Sequence, residues 1–141
     1  MVRAPNNRGL SMLKAHNPGD IAPPIRNGYS HGIEVPPGAR MLYSSGQIAI
    51  RPDGTVPADF AEQAEVVMTN IVSILASAGM TMADVVRLTT YLTKPEQVPV
   101  FGPIRAKYLD GAKPALTSMV VSALAVPEWL IEVEVVAAKV D

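Results

Sequence analysis

One apolar stripe in the middle of the chain constrains the fold more than any other feature. Phe60, Ala64, Val67, Met68, Ile71, Val72, Leu75 and Ala78 recur at three- and four-residue spacing, which places them on one broad face of a helix. Asp59 with Glu62 three residues later makes a capping-box-like start, Pro57 discourages helix upstream, and Gly79 supplies a stop. The pattern predicts a helix over residues 59–78. A face that broad needs a partner layer, and the rest of the chain supplies strands.

Residues 29–35 read as a first strand, Pro36-Pro37-Gly38 as a turn and 41–50 as a second strand, together a hairpin. Arg51-Pro52-Asp53-Gly54 closes it with turn chemistry. Residues 84–93, rich in β-branched side chains, form a third strand. A second helix is expected over 98–109, where Pro103 implies a kink or a late start. Strands at 115–125 and 130–140, joined by Val126-Pro127-Glu128-Trp129, read as an antiparallel pair. Pro18, Pro23 and Pro24 make residues 16–27 an extended lead-in. Residues 1–11 are expected to be a flexible arm ahead of a single domain over 12–141. The order β-β-α-β-α-β-β favours an α+β sandwich, one sheet with two helices on one face. Val120, Val121 and Ala123, with Ile131, Val133 and Val135, are expected to make the other face apolar, to be covered by another subunit.

Composition bounds the chemistry. The 141 residues are 48% hydrophobic and 18% charged, as in a globular chain. Twelve basic residues against thirteen acidic ones, in no block of like charge, give no electrostatic reason to expect nucleic acid or an anionic membrane as partner. Cysteine is absent, and His16 and His31 are the only histidines, so neither a thiolate nucleophile nor a metal centre is expected. No run approaches the ~20 apolar residues of a membrane span, and no apolar signal core is seen, so a cytoplasmic protein is expected.

Seven short motifs follow one another along the chain: Tyr29-Ser30-His31-Gly32, Ser44-Ser45-Gly46-Gln47-Ile48, Asp53-Gly54-Thr55-Val56-Pro57, Ala78-Gly79-Met80, Thr89-Thr90-Tyr91-Leu92, Lys113-Pro114-Ala115 and Ile131-Glu132-Val133-Glu134-Val135. Jointly they resemble the Rid family (reactive intermediate deaminases, YjgF-like) over about residues 12–140. The resemblance implies a chorismate-mutase-like fold and a homotrimer with a central sheet barrel and three clefts between subunits. It implies hydrolysis of enamine or imine intermediates to 2-keto acids and ammonia, without metal or cofactor. It also implies that Tyr29 is the cleft tyrosine, that Ser45 and Gly46 line the pocket, and that Glu132 lies near the hydrolytic water. Gly102 stands where archetypal members often carry asparagine, and Ser118 where many carry cysteine. Leu116 stands where they carry a substrate-gripping arginine. A guanidinium holds a carboxylate by two charge-assisted hydrogen bonds and an isobutyl group makes none. The loss, ~1.5–3 kcal/mol of binding, predicts poor turnover of 2-imino acids.

The residues themselves leave alternatives open. Glu132 and Glu134, two apart on a strand, share a face; Glu132 either orients a water or belongs to a solvated polar face. Ser45-Gly46 offers a hydroxyl and an approachable amide, or merely a small residue for packing. Tyr29 either caps a pocket or packs at an interface. Trp129 walls the cleft or packs at its rim. Thr117 and Ser118 either replace the lost arginine with hydroxyl contacts or are ordinary strand residues. His31 reads as a structural polar group. Arg87 and Arg105 are the candidates for a relocated cation, with a solvated helix charge favoured for Arg105. The expected function is a small-molecule hydrolase or deaminase-like enzyme. The alternative is a non-catalytic ligand-binding protein on the same scaffold, and ribonuclease activity ranks third for want of a basic patch and a histidine pair.

Overall fold

Helix α1 (Phe60–Ser77) forms where the stripe predicts it in the computed structural model, which describes residues 12–141. The expected arm, residues 1–11, lies outside the described residues. Asp59 caps the helix, its carboxylate accepting the Glu62 N–H at 3.0 Å, which satisfies one of the donors a first turn leaves open. Ala64, Val67, Met68, Ile71 and Leu75 are buried along the stripe, and so is Gln63. The Gln63 amide donates to the carbonyls of Pro57 and Glu128, both at 2.8 Å, and accepts from the Leu130 N–H at 2.9 Å. One side chain therefore ties the start of α1 to two loops.

Helix α2 (Val98–Leu109) begins at the predicted residue and runs through Pro103 instead of starting there. A short 3₁₀ turn, Pro95–Gln97, leads into it. It stops at Asp110 and Gly111, both in left-handed backbone with φ of 47° and 86°. That conformation ends a helix by turning the next carbonyls away from its axis.

Both helices pack on one mixed sheet built from β3 (Arg40–Tyr43), β4 (Val85–Leu92), β5 (Ala115–Val120) and β6 (Ile131–Lys139), in the order β3-β6-β4-β5. Only β4 and β5 run parallel. Leu88, Leu92, Ile131, Val133, Val135 and Ala137 meet the α1 stripe and Phe101 and Leu109 of α2 in one core. The α+β architecture expected from the element order is the one observed.

Strand pairing departs from expectation in three places. The first predicted strand forms β2 (Gly32–Glu34) but pairs with β1 (Lys14–His16), not with β3. Residues 14–16 precede the prolines and keep their N–H groups. Pro36-Pro37 and Gly38, at φ 78°, then send the chain on to the other sheet. Second, β5 and β6 are not neighbours, because β4 lies between them. No residue of β6 is exposed, as suits a strand with neighbours on both edges, whereas residues 117–120 of β5 are exposed, as on an edge. Third, Ile131, Val133 and Val135 face the helices. The free face instead carries Glu132, Glu134 and Val136 of β6 opposite Tyr91, Thr89 and Arg87 of β4. It is amphipathic, with Tyr43 71% and Met41 42% exposed along its β3 side.

Two further details position the site. The predicted strand 41–50 leaves the ladder after Tyr43 and returns at Gln47, which bridges to Val133. Arg40 and Lys139, from the far end of the sheet, donate to the Ala78 and Gly79 carbonyls at the C-terminal end of α1, where cations complement the helix dipole. Among the described residues no helix is long and apolar enough to cross a membrane.

Candidate functional site

Between Tyr43 and Gln47 the β3 segment carries one residue more than the β6 stretch it faces, a bulge. Ser44 sustains it: its N–H donates to the Val135 carbonyl at 3.0 Å and its Oγ accepts the Val135 N–H at 2.9 Å. Gln47 restores the ladder with bonds of 2.7 and 3.1 Å to Val133. Ser45 is left exposed, and the Gly46 backbone is pressed against Glu132. A Cβ built on Gly46 would stand 2.0 Å from Glu132 Oε1 and 2.7 Å from its Cδ. Any side chain at this position would displace the Glu132 carboxyl.

The two glutamates of β6 are not equivalent. The Tyr91 phenol donates to Glu134 Oε1 at 3.1 Å. That bond, with desolvation and the charges of Glu134 and Glu132, raises the phenol's pKa above its ordinary value. Glu134 is thereby engaged. Among the described residues no group hydrogen-bonds the Glu132 carboxylate, half-buried against Gly46 with Tyr91 as its cross-strand neighbour.

A second feature lies at the opposite edge of the sheet, on the helix side. Ser30 donates its Oγ–H to the Lys113 carbonyl at 2.6 Å and its N–H to the Pro114 carbonyl at 3.1 Å. Two motifs 83 residues apart are thus joined, and Tyr29 is brought to the chain entering β5. There Tyr29, Gly102, Arg105, Lys113 and Ser118 line a cleft of about 800 Å³. The Tyr29 ring meets the His31 ring edge-on at 5.8 Å. His31 itself donates Nε2–H to the Ala22 carbonyl at 2.7 Å, so it acts as a structural tie. A Cβ on Gly102 would meet nothing within 4 Å, which leaves open space where a larger side chain would reach into the cleft.

The sequence candidates therefore divide. Ser45, Gly46 and Glu132 stand together on the free sheet face. Tyr29, Gly102 and Ser118 stand together in the cleft on the other side. Leu116 is half-buried, packed against the core, and not among the residues lining that cleft. Thr117, the partner of Thr89, turns to the free face, away from Ser118. Trp129 sits in the 121–130 connection, its N–H closing a turn onto Val126 at 3.0 Å, and lines neither feature. Arg105 is half-buried in the cleft, not the solvated helix charge favoured from sequence. Tyr91 and Lys113 were missed as site residues. The alternation of β4 and β6 could have shown that Tyr91 shares the face of the glutamates had their pairing been known. A larger cleft of about 860 Å³, beside Val72, Met80 and Tyr108, holds none of the candidates.

This small α+β protein thus carries an acid on one face of its sheet and a cleft lined by cationic side chains on the other. The family model described as Endoribonuclease L-PSP matches residues 20–139. Protein DfrA of Myxococcus xanthus is 36% identical over 107 residues, covering 74% of this chain and 81% of that protein. The crystal structure of the Rid-family protein YyfB from Yersinia pestis superposes with a TM-score of 0.79 at 35% identity, covering 89% of this chain and 97% of that one. That of Escherichia coli TdcF with bound serine gives a TM-score of 0.67 at 26% identity, covering 88% and 94%. The chain belongs to the Endoribonuclease L-PSP family, the YjgF/Rid group.

Proposed function

We propose that this chain is a cofactor-independent, cytoplasmic small-molecule hydrolase of the deaminase type, acting on an enamine- or imine-like metabolite. The observation that carries the reading is the Glu132 carboxylate held against side-chain-free Gly46, without a hydrogen-bond partner among the described residues while Glu134 is engaged by Tyr91. A carboxylate so placed accepts a proton from water as the oxygen adds to an imine carbon. That proton passes to the nitrogen to give a neutral carbinolamine, whose hydroxyl proton then moves through the same carboxylate to the nitrogen as the C–N bond breaks, the carbonyl forms and ammonia leaves. Similarity supports the reading: Escherichia coli TdcF, which carries the name "Putative reactive intermediate deaminase TdcF", is 28% identical over 94 residues, covering 66% of this chain and 67% of that protein, and was crystallised with serine bound.

Within one chain Glu132 and the Tyr29 cleft lie on opposite sides of the sheet, so the reading includes a homotrimer in which the acid of one subunit faces the cleft of the next. The test is ammonia release from imines generated in situ. Wild type is expected to accelerate it and Glu132→Gln to abolish the acceleration. Ligand binding without turnover, unaffected by Glu132→Gln, would instead identify a binding protein on the same scaffold.

A further inference from the structure

The cleft behind β5 is lined by Arg26, Arg105 and Lys113 and, among the described residues, by no carboxylate. Three cations in one pocket are notable in a chain whose net charge is −1. Arg105 is the one placed to act. Its Nη1 reaches toward Ser118 Oγ at 3.5 Å and its guanidinium lies 5.6 Å from the centre of the Phe101 ring. No acid among the described residues pairs with it. Burial pulls the guanidinium below its ordinary pKa with no opposing acidic group, yet arginine stays charged at physiological pH. A half-buried guanidinium with no carboxylate partner among the described residues attracts an anion, and its planar fork matches a carboxylate best. The parallel register pairs Leu116 with Leu88 and Ser118 with Thr90, so Leu116 and Ser118 share the helix-facing side of β5. Two residues along a strand is ~6.5–7 Å, within the span of an arginine side chain rooted at 116.

We propose that Arg105 is the anion anchor of this cleft, gripping the carboxylate of a small organic acid from helix α2, with Leu116 leaving the strand without an anchor of its own. The proposal rests on the reading above that this cleft takes the substrate. It replaces the expectation that an apolar residue at 116 disfavours carboxylate substrates: the grip has moved from strand to helix.

Binding, not turnover, tests it. Sodium pyruvate and its neutral methyl ester serve as probes, titrated into the full chain and followed by backbone amide NMR. Wild type is expected to bind pyruvate at least tenfold more tightly than the ester, with shifts at Gly102 and Ser118. Arg105→Gln should weaken pyruvate tenfold or more and leave the ester unchanged. Arg105→Lys, which keeps the charge and guards against a folding artefact, should fall between. Adding Leu116→Arg to Arg105→Gln should restore pyruvate binding by returning a guanidinium to the same space. Equal binding of acid and ester, no detectable pyruvate binding by wild type, or unchanged affinity in Arg105→Gln would each overturn the proposal. Glu132→Gln separates the two readings. If it and wild type are equally inactive yet bind pyruvate through Arg105, the hydrolase reading fails and the anchor stands; turnover indifferent to Arg105→Gln gives the reverse.

Discussion

Gly46 lacks a side chain because the Glu132 carboxyl occupies the space where one would stand. Gly46→Ala is expected to push that carboxyl off the bulge. Imine hydrolysis should fall by the ~10²–10⁴-fold typical of a lost acid–base group, while the melting temperature barely moves, since Glu132 can rotate outward. Gln63 gives the opposite signature. Its amide makes three bonds at full burial, so Gln63→Leu strands two carbonyls and an N–H at about 1–3 kcal/mol each where water cannot reach them. Urea denaturation should show a loss of several kcal/mol, with the activity of the folded fraction intact. Thr90 is fully buried and its hydroxyl has no partner among the described residues. Thr90→Val, similar in volume, should be neutral or stabilise by up to about 1 kcal/mol. None of these roles was legible from residue type alone: Gln63 reads as a polar break in an apolar stripe, and Gly46 as one more small residue in a strand.

Elements were legible to the degree that their signals are local. Both helices fall within a residue of the predicted bounds because caps and three- and four-residue spacing act along one segment. Strand partners are set by residues far apart in sequence, which is why the local pattern points to β2 beside β3 and β5 beside β6 while the fold pairs β2 with β1 and places β4 between β5 and β6. The same limit hid the cleft. Arg105 reads as a helix charge until Ser30 is seen to draw Tyr29 and Lys113 against the strand beside it. Between the helices, Glu65 of α1 binds Lys107 and Tyr108 of α2. Lys107 first and Tyr108 second hold the Glu65 carboxyl below its ordinary value of 4.5, and burial then the Glu65 bond push Tyr108 up to about 12. A lowered acid stabilises the fold above its unfolded pKa and loses that contribution as pH falls through the folded one. Glu65→Gln should therefore cost under about 1 kcal/mol at neutral pH, the cluster being partly exposed. The gap to wild type should hold above about pH 5 and close as pH drops below 4.5, as followed by thermal melts across pH.

On the scale of the whole molecule, the free sheet face mixes two glutamates, an arginine and exposed Tyr43, Met41 and Met119. Such a face is suited to an interface with polar groups inside it, more than to the dry apolar contact expected from the strand sequences. Light scattering is expected to give three chains per particle, and Tyr43→Asp, which places a charge at the β3 side of that face, to shift it toward single chains. If turnover is lost in step with the shift, the acid and the cleft act from different subunits.

The slot filled by β6 also dictates the order of assembly. β3 and β4, separated by the whole of α1, touch only through a strand that begins at Ile131. A nascent chain emerging from the ribosome holds two unsatisfied edges until residues 131–139 are out, and the sheet then closes in one long-range step. Any premature stop ahead of Ile131 should yield no partly folded remnant, only aggregate or protease substrate.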